Sequence, residues 1–166
     1  MIYIDGSNFY FSVKKRFNVK LDIEKFCKKL VEDKELVKIN YYIAPLTQKT
    51  HPEQYLEQQK FFSELREIDK LNIIFGRLEK RNGKIFYVEK ASDVNLALDL
   101  ALNAEKEIYD EAYLISNDGD FSGAVKAARN FGKIVFYVTI GNKKSISHYL
   151  KKVASSTFYI TEKYIE

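Results

Sequence analysis

Residues 114–121 read Leu-Ile-Ser-Asn-Asp-Gly-Asp-Phe, and this stretch decides the fold. An apolar run of strand type stops at a turn dipeptide, Asp118-Gly119, and Phe121 opens a helical stretch. The start of the chain has the same pattern, with Ile2-Tyr3-Ile4 running into Asp5-Gly6-Ser7-Asn8. Working outward, apolar periodicity predicts strands over 1–5, 37–44, 112–116, 133–140 and 157–161. It predicts helices over 8–16, 22–33, 52–69, 92–106 and 121–131, and a short one near 145–152. Ile23, Phe26, Cys27 and Leu30 share helical spacing, and Pro52 suits the first position of a helix. Residues 72–79 and 84–89 read as a β-hairpin around Arg81-Asn82-Gly83, because Asn-Gly supplies the positive φ a tight turn needs. Strands alternating with helices argue for βαβ units, hence an α/β fold with a mainly parallel sheet and helices on both faces.

The 166 residues form one expected domain, 1–166, with no internal repeat, low-complexity segment or Pro/Gly/Ser linker. A chain of this length buries enough surface to fold without a disulfide or structural metal. Cys27 is the sole cysteine, so neither an intrachain disulfide nor a Cys-rich zinc site can form. His51 and His148 make no ligand-spaced pair. Met1-Ile2-Tyr3-Ile4 has no basic n-region, and no apolar run approaches the roughly twenty residues that span a bilayer. The expectation is a soluble, cytoplasmic protein of a reducing compartment, with no membrane partner. Net charge is +4, and basic residues concentrate in two stretches. Nine Lys/Arg against five Asp/Glu fall between Lys14 and Lys38, and five against two between Arg77 and Lys90. Such clusters suit a phosphate backbone, although a solvated face has the same composition.

In an open parallel sheet, ligands bind beyond the carboxyl ends of the strands. Three segments bring acidic residues there: Asp5 after the first strand, Asp118 and Asp120 after a later one, and Asp93 at the start of a helix. Each has an ordinary reading alone, since Asp5-Gly6 and Asp118-Gly119 make turns, while Ser92 and Asp120 suit helix N-caps. Asp93 also complements a helix dipole. Together they predict one divalent-metal site, because converging carboxylates repel one another unless a hard, oxygen-liking cation such as Mg²⁺ or Mn²⁺ neutralises them. Helical phase sets Asp93 with Leu96, Ala97 and Leu100 on the sheet-facing side, and Asp99 with Asn95 and Asn103 toward solvent.

These blocks carry a resemblance. Asp5-Gly6-Ser7-Asn8, Lys90-Ala91-Ser92-Asp93-Val94 with the run to Asp99-Leu100, and Ser116-Asn117-Asp118-Gly119-Asp120-Phe121 resemble the three signature blocks of the NYN domain. NYN domains are a branch of the PIN-like nuclease superfamily, and the chain is similar to their LabA-like bacterial and archaeal members. The resemblance spans nearly the whole chain. It implies a Rossmann-like, PIN-like sheet and a metal-dependent endoribonuclease with Asp5, Asp93, Asp118 and Asp120 as catalytic metal ligands for Mg²⁺ or Mn²⁺. Asn8 and Ser116 would support them. Two positions depart from the family pattern: Ala91-Ser92 and Asn117 stand where glycine is usual, which bears on loop geometry.

Lys90, Arg77 and Arg81 are candidate substrate-binding residues for RNA phosphates, with Phe86 or Tyr87 of the hairpin as a stacking surface. A homodimer and an inhibitory protein partner, of the kind antitoxins provide for some PIN relatives, are the protein partners compatible with this reading. The alternative is a non-catalytic RNA-binding or protein-interaction module that keeps the acidic pocket. Other sites fit less well. A haloacid-dehalogenase-type phosphatase needs an Asp where Ser7 stands, and an integrin-type metal site fails at Phe9. A Toprim domain wants Glu on the first strand. No phosphate-binding Gly-Lys loop and no dinucleotide-binding glycine motif is present.

Overall fold

A computed structural model describes residues 1–49, 51–80, 87–141 and 145–165, with side chains for all of these except 78–80 and 87–90. Strand β1 (Ile2–Asp5) leads into helices α1 (Gly6–Arg16) and α2 (Ile23–Val31), then β2 (Ile39–Ile43), α3 (Pro52–Arg66) and β3 (Leu71–Phe75). The paired strands β4 (Arg77–Lys80) and β5 (Tyr87–Lys90) follow, then α4 (Ser92–Glu105) and β6 (Glu111–Ile115). A 3₁₀ turn (Gly119–Phe121) precedes α5 (Ser122–Asn130), β7 (Ile134–Thr139), α6 (His148–Val153) and β8 (Ser156–Tyr159).

Six strands form one parallel sheet in the order β3-β2-β1-β6-β7-β8. Chain order runs outward from β1 in one direction through β3, then restarts on its other side at β6. The carboxyl ends of β1 and β6 therefore flank the topological switch point, where a crevice opens between diverging connections. Alternation along each strand divides the core. Ile2, Ile4, Tyr41, Tyr113 and Ile115 face α1–α3, where Phe9, Val13, Phe26, Phe62 and Leu65 cover them. Tyr3, Tyr42, Leu114 and Tyr137 face the other way, under Leu96, Leu100, Val125, Ala128 and Leu150. Covering both faces explains the continuous apolar strands. Cys27 is buried among the first set, and burial pushes its thiol well above its ordinary range. No helix among the described residues is long and apolar enough to cross a membrane.

One boundary corrects the sequence reading. Residues 71–75 belong to the main sheet, parallel to β2, and the chain leaves that sheet at Gly76, whose N–H donates to the Ile43 carbonyl at 3.0 Å. Among the described residues, β4 and β5 alone pair antiparallel. One stretch thus contains a half-exposed parallel edge strand and a separate antiparallel strand, and periodicity alone does not mark the break. The expected Arg81-Asn82-Gly83 turn lies outside the described residues.

Candidate active site

Asp5 ends β1 and caps α1: one carboxylate oxygen accepts from the Asn8 N–H at 3.1 Å. It is well placed to do both because Gly6 follows. A Cβ there would stand 2.5 Å from a Tyr41 ring carbon and 2.7 Å from the Tyr42 carbonyl, so only glycine lets the chain turn so close to β2. Pairing of Ile4 with Ile115 brings the ends of β1 and β6 side by side. Across that junction the Ser116 hydroxyl donates to the second oxygen of Asp5 at 2.8 Å and accepts from the Asp118 N–H at 3.1 Å. Asp118 in turn accepts from the Asp120 N–H at 2.9 Å, capping the 3₁₀ turn. The Asn8 side-chain oxygen accepts from the Asn117 N–H at 3.1 Å, closing the chain back onto α1.

Asp5, Asn8, Ser116, Asp118 and Asp120 therefore meet at the switch point through hydrogen bonds, although more than a hundred residues separate the two segments. Asp93 comes from a third element: it is exposed, in the first turn of α4. Among the described residues, no three of His, Cys, Asp or Glu are grouped closely enough to hold a metal ion between them. Arg77 is exposed on β4, directly across from Lys90 on β5. Arg81, Phe86 and the side chains of Tyr87 and Lys90 lie outside the described residues.

Asn117 was read from sequence only as a departure from glycine, yet it organises the turn. Its side-chain oxygen accepts from the Tyr137 hydroxyl at 2.7 Å and the Thr139 hydroxyl at 2.6 Å, and its amide donates to the Ile140 carbonyl at 3.1 Å. Burial raises the Tyr137 pKa, which keeps that hydroxyl a donor at neutral pH.

Asp99 corrects the helical-phase expectation. It does not face solvent: it accepts from the Tyr42 hydroxyl at 2.8 Å, and Asn103, one turn on, donates to the Tyr3 hydroxyl at 3.0 Å. Asp99 lies three positions from Leu96, at the flank of the packed stripe. Tyr3 and Tyr42 stand off adjacent strands as stacked rings, 6.5 Å apart, and give that flank polar partners. Burial first, then donation to Asp99, holds the Tyr42 hydroxyl far above the ordinary tyrosine range, so it stays protonated. The signal available in the sequence was the tyrosine in place of an aliphatic residue at a buried strand position.

At the start of α4, Ala91 rather than Ser92 occupies the cap position, with φ of 73° in the left-handed region. A Cβ is disfavoured there, which accounts for the glycine usual at this point in the resembling family. Ala91→Gly should stabilise the protein by about 0.5–1 kcal/mol, the relieved strain exceeding the added freedom of the unfolded chain. For a protein of this size that corresponds to a rise of roughly 1–4 °C in Tm by differential scanning calorimetry.

A parallel α/β sheet carrying an acidic turn on each side of its switch point defines a class of nuclease-like domains. The NYN-domain family model matches residues 1–162, and the chain belongs to the NYN family, whose members are generally nucleases of PIN-like fold and typically use divalent metals. The fold is similar to that of a protein of unknown function from Vibrio parahaemolyticus, 22% identical, with a TM-score of 0.77 over 99% of this chain and 94% of that one. No protein of curated function matches the sequence.

Proposed function

We propose that the protein hydrolyses phosphodiester bonds in RNA at a Mg²⁺ or Mn²⁺ ion held by Asp5 and Asp118, with Asp93 and Asp120 adding negative charge around it. The observation that carries this reading is the Asp5–Ser116–Asp118 hydrogen-bond chain across the switch point. The donor set is carboxylate oxygen, which suits a hard cation, and no His or Cys takes part. A site in which one or two carboxylates contact the ion is ordinary for Mg²⁺, whose remaining positions are filled by waters and substrate phosphate. Such an ion, when bound, lowers the pKa of a water and neutralises charge on the attacked phosphate. Ser116 fixes the Asp5 carboxylate, and Asn8 fixes the turn that carries Asp118. The lone buried cysteine suits work in the reducing cytoplasm.

The test is incubation with single-stranded RNA and Mn²⁺, with and without EDTA. Cleavage in Mn²⁺ that EDTA abolishes supports the reading. RNA binding without cleavage under any metal would leave a non-catalytic binding module instead.

Substrate grip is expected from the hairpin. Its register sets Arg77 opposite Lys90, which places two basic positions side by side on the two strands. Affinity for single-stranded RNA should fall with salt, with a log–log slope of about 0.7 per phosphate contact. The triple variant Arg77→Ala, Arg81→Ala, Lys90→Ala should lower that slope by roughly 2, about 0.7 for each of three contacts. It should raise KM more than it lowers kcat, because phosphate grip is mostly uniform binding. Fluorescence anisotropy over a salt series measures the slope, and an unchanged slope would move the binding surface to the basic stretch between Lys14 and Lys38.

A further inference from the structure

We propose that Tyr149 is the stacking platform of a nucleobase subsite beside the acidic turn, taking an unpaired base of a single-stranded nucleic acid. The proposal rests on the RNA-cleavage reading of the adjoining aspartates and names how the strand is held there.

An open groove of about 570 Å³ is lined by Gly119, Asp120, Ser122, Ser147, His148 and Tyr149. It joins two elements that are distant in sequence, the acidic turn and the start of α6. Tyr149 is 72% exposed, more than any other large apolar or aromatic side chain among the described residues. Leaving a ring so open forgoes the stabilisation that burying it would bring. The ring does not hang free, however. A Cβ on Gly119 would lie 3.2 Å from Cδ2 of Tyr149 and 3.2 Å from the Ser147 hydroxyl, so the backbone of the acidic turn runs against the ring edge.

The platform is also fixed in register with the aspartates. The Ser147 N–H donates to the Tyr137 hydroxyl at 2.9 Å, and that hydroxyl donates to Asn117, the residue before Asp118, at 2.7 Å. Ser147 then caps α6 by accepting from the Leu150 N–H at 3.3 Å. Two hydrogen bonds therefore separate the anchor of Tyr149 from the acidic turn. Preorganisation of this kind lowers the ordering cost when a ligand binds.

The chemistry of the lining selects the occupant. Asp120 lines the groove, and its carboxylate is an acceptor suited to the N–H edge of a base. His148 and Ser122 supply further polar groups at the rim. A tyrosine ring stacks on any base, so the subsite tolerates sequence but requires an unpaired, accessible base. A paired duplex keeps its bases stacked on one another and cannot offer one.

The closing experiment uses the full chain and a short mixed-sequence RNA in Mn²⁺. Tyr149→Ala should raise KM about tenfold with kcat changed less than about twofold, since losing a stacked base weakens ground-state and transition-state binding alike. Tyr149→Phe should behave as the wild type, because the ring rather than the hydroxyl makes the contact. The chain contains no tryptophan, so Tyr149→Trp introduces a unique reporter. Its emission should be quenched by the RNA and not by an abasic strand of equal length. An unchanged KM in Tyr149→Ala alongside normal wild-type cleavage overturns the subsite and leaves the cleavage reading intact. Equal quenching by the abasic strand likewise overturns it, because the backbone alone would then account for the contact. Quenching by RNA but not by the abasic strand, with no cleavage by the wild type, supports the subsite and overturns hydrolysis. A wild type that neither binds nor cleaves RNA overturns both.

Discussion

Asp118→Asn is expected to reduce Mn²⁺-dependent RNA cleavage at least a hundredfold, roughly 2.7 kcal/mol of barrier, while Tm moves by less than about 2 °C. The two halves of this expectation have separate causes. Asparagine keeps a side-chain oxygen where Asp118 accepts from the Asp120 N–H, so the cap of the 3₁₀ turn survives. It also leaves the Ser116 hydroxyl in place to receive the residue's own N–H. What is lost is the negative charge, which a hard divalent cation requires and a cap does not. Cleavage measured under single-turnover conditions, beside a calorimetric melt, separates the two. Undiminished cleavage in this variant would remove Asp118 from the chemistry.

Asp5→Ala should fail in both respects. Its carboxylate receives the Asn8 N–H at the start of α1 and the Ser116 hydroxyl across the sheet, so truncation removes a helix cap and strands a buried hydroxyl. Ser116 is 2% exposed and cannot turn to water for compensation. Loss of the cap costs about 1 kcal/mol and the orphaned hydroxyl about 1–3 kcal/mol. Together these lower Tm by roughly 4–16 °C on the scale usual for this chain length. Cleavage should disappear entirely. Asp5→Asn is the informative control: its side-chain oxygen still caps α1, so most of the stability should return while activity does not.

The contrast between these residues and Asp99 shows what a sequence reveals of such a site. The parallel sheet was legible because apolar strands and amphipathic helices alternate, and two of the strands stop at a turn dipeptide. The placement of Asp5 and Asp118 at one edge followed from that alternation alone, since every strand of a parallel sheet ends on the same side. Asp99 was misplaced because helical phase ranks side chains by hydrophobicity and takes no account of a hydroxyl standing off the opposing strand. Tyr42 supplies that hydroxyl, and its position depends on the register of β2 against β1. The end of β3 at Gly76 was missed for a related reason. A half-exposed edge strand and an antiparallel strand separated by one residue look like one segment. Ala91 was visible as a departure from glycine, but its left-handed φ was not. The link from Asn117 through Tyr137 to Ser147 joins three segments by side-chain geometry, which no local pattern encodes.

Asn117 also ties the acidic turn down. The side chain is consumed in bonds to Tyr137, Thr139 and the Ile140 carbonyl, which ties the turn to the ends of β7. Hydrogen bonds thereby fix the Asp5 and Asp118 carboxylates at the ends of β1 and β6. Carboxylates held in this way position negative charge before substrate arrives.

The proposed chemistry requires a divalent ion at the ends of β1 and β6. Soaking crystals of the protein in Mn²⁺ and locating the ion by its anomalous scattering answers this directly. The expected result is a peak within coordination distance of carboxylate oxygens from both Asp5 and Asp118, at the ends of β1 and β6. A peak that touches neither of them, or none at saturating Mn²⁺, would contradict it.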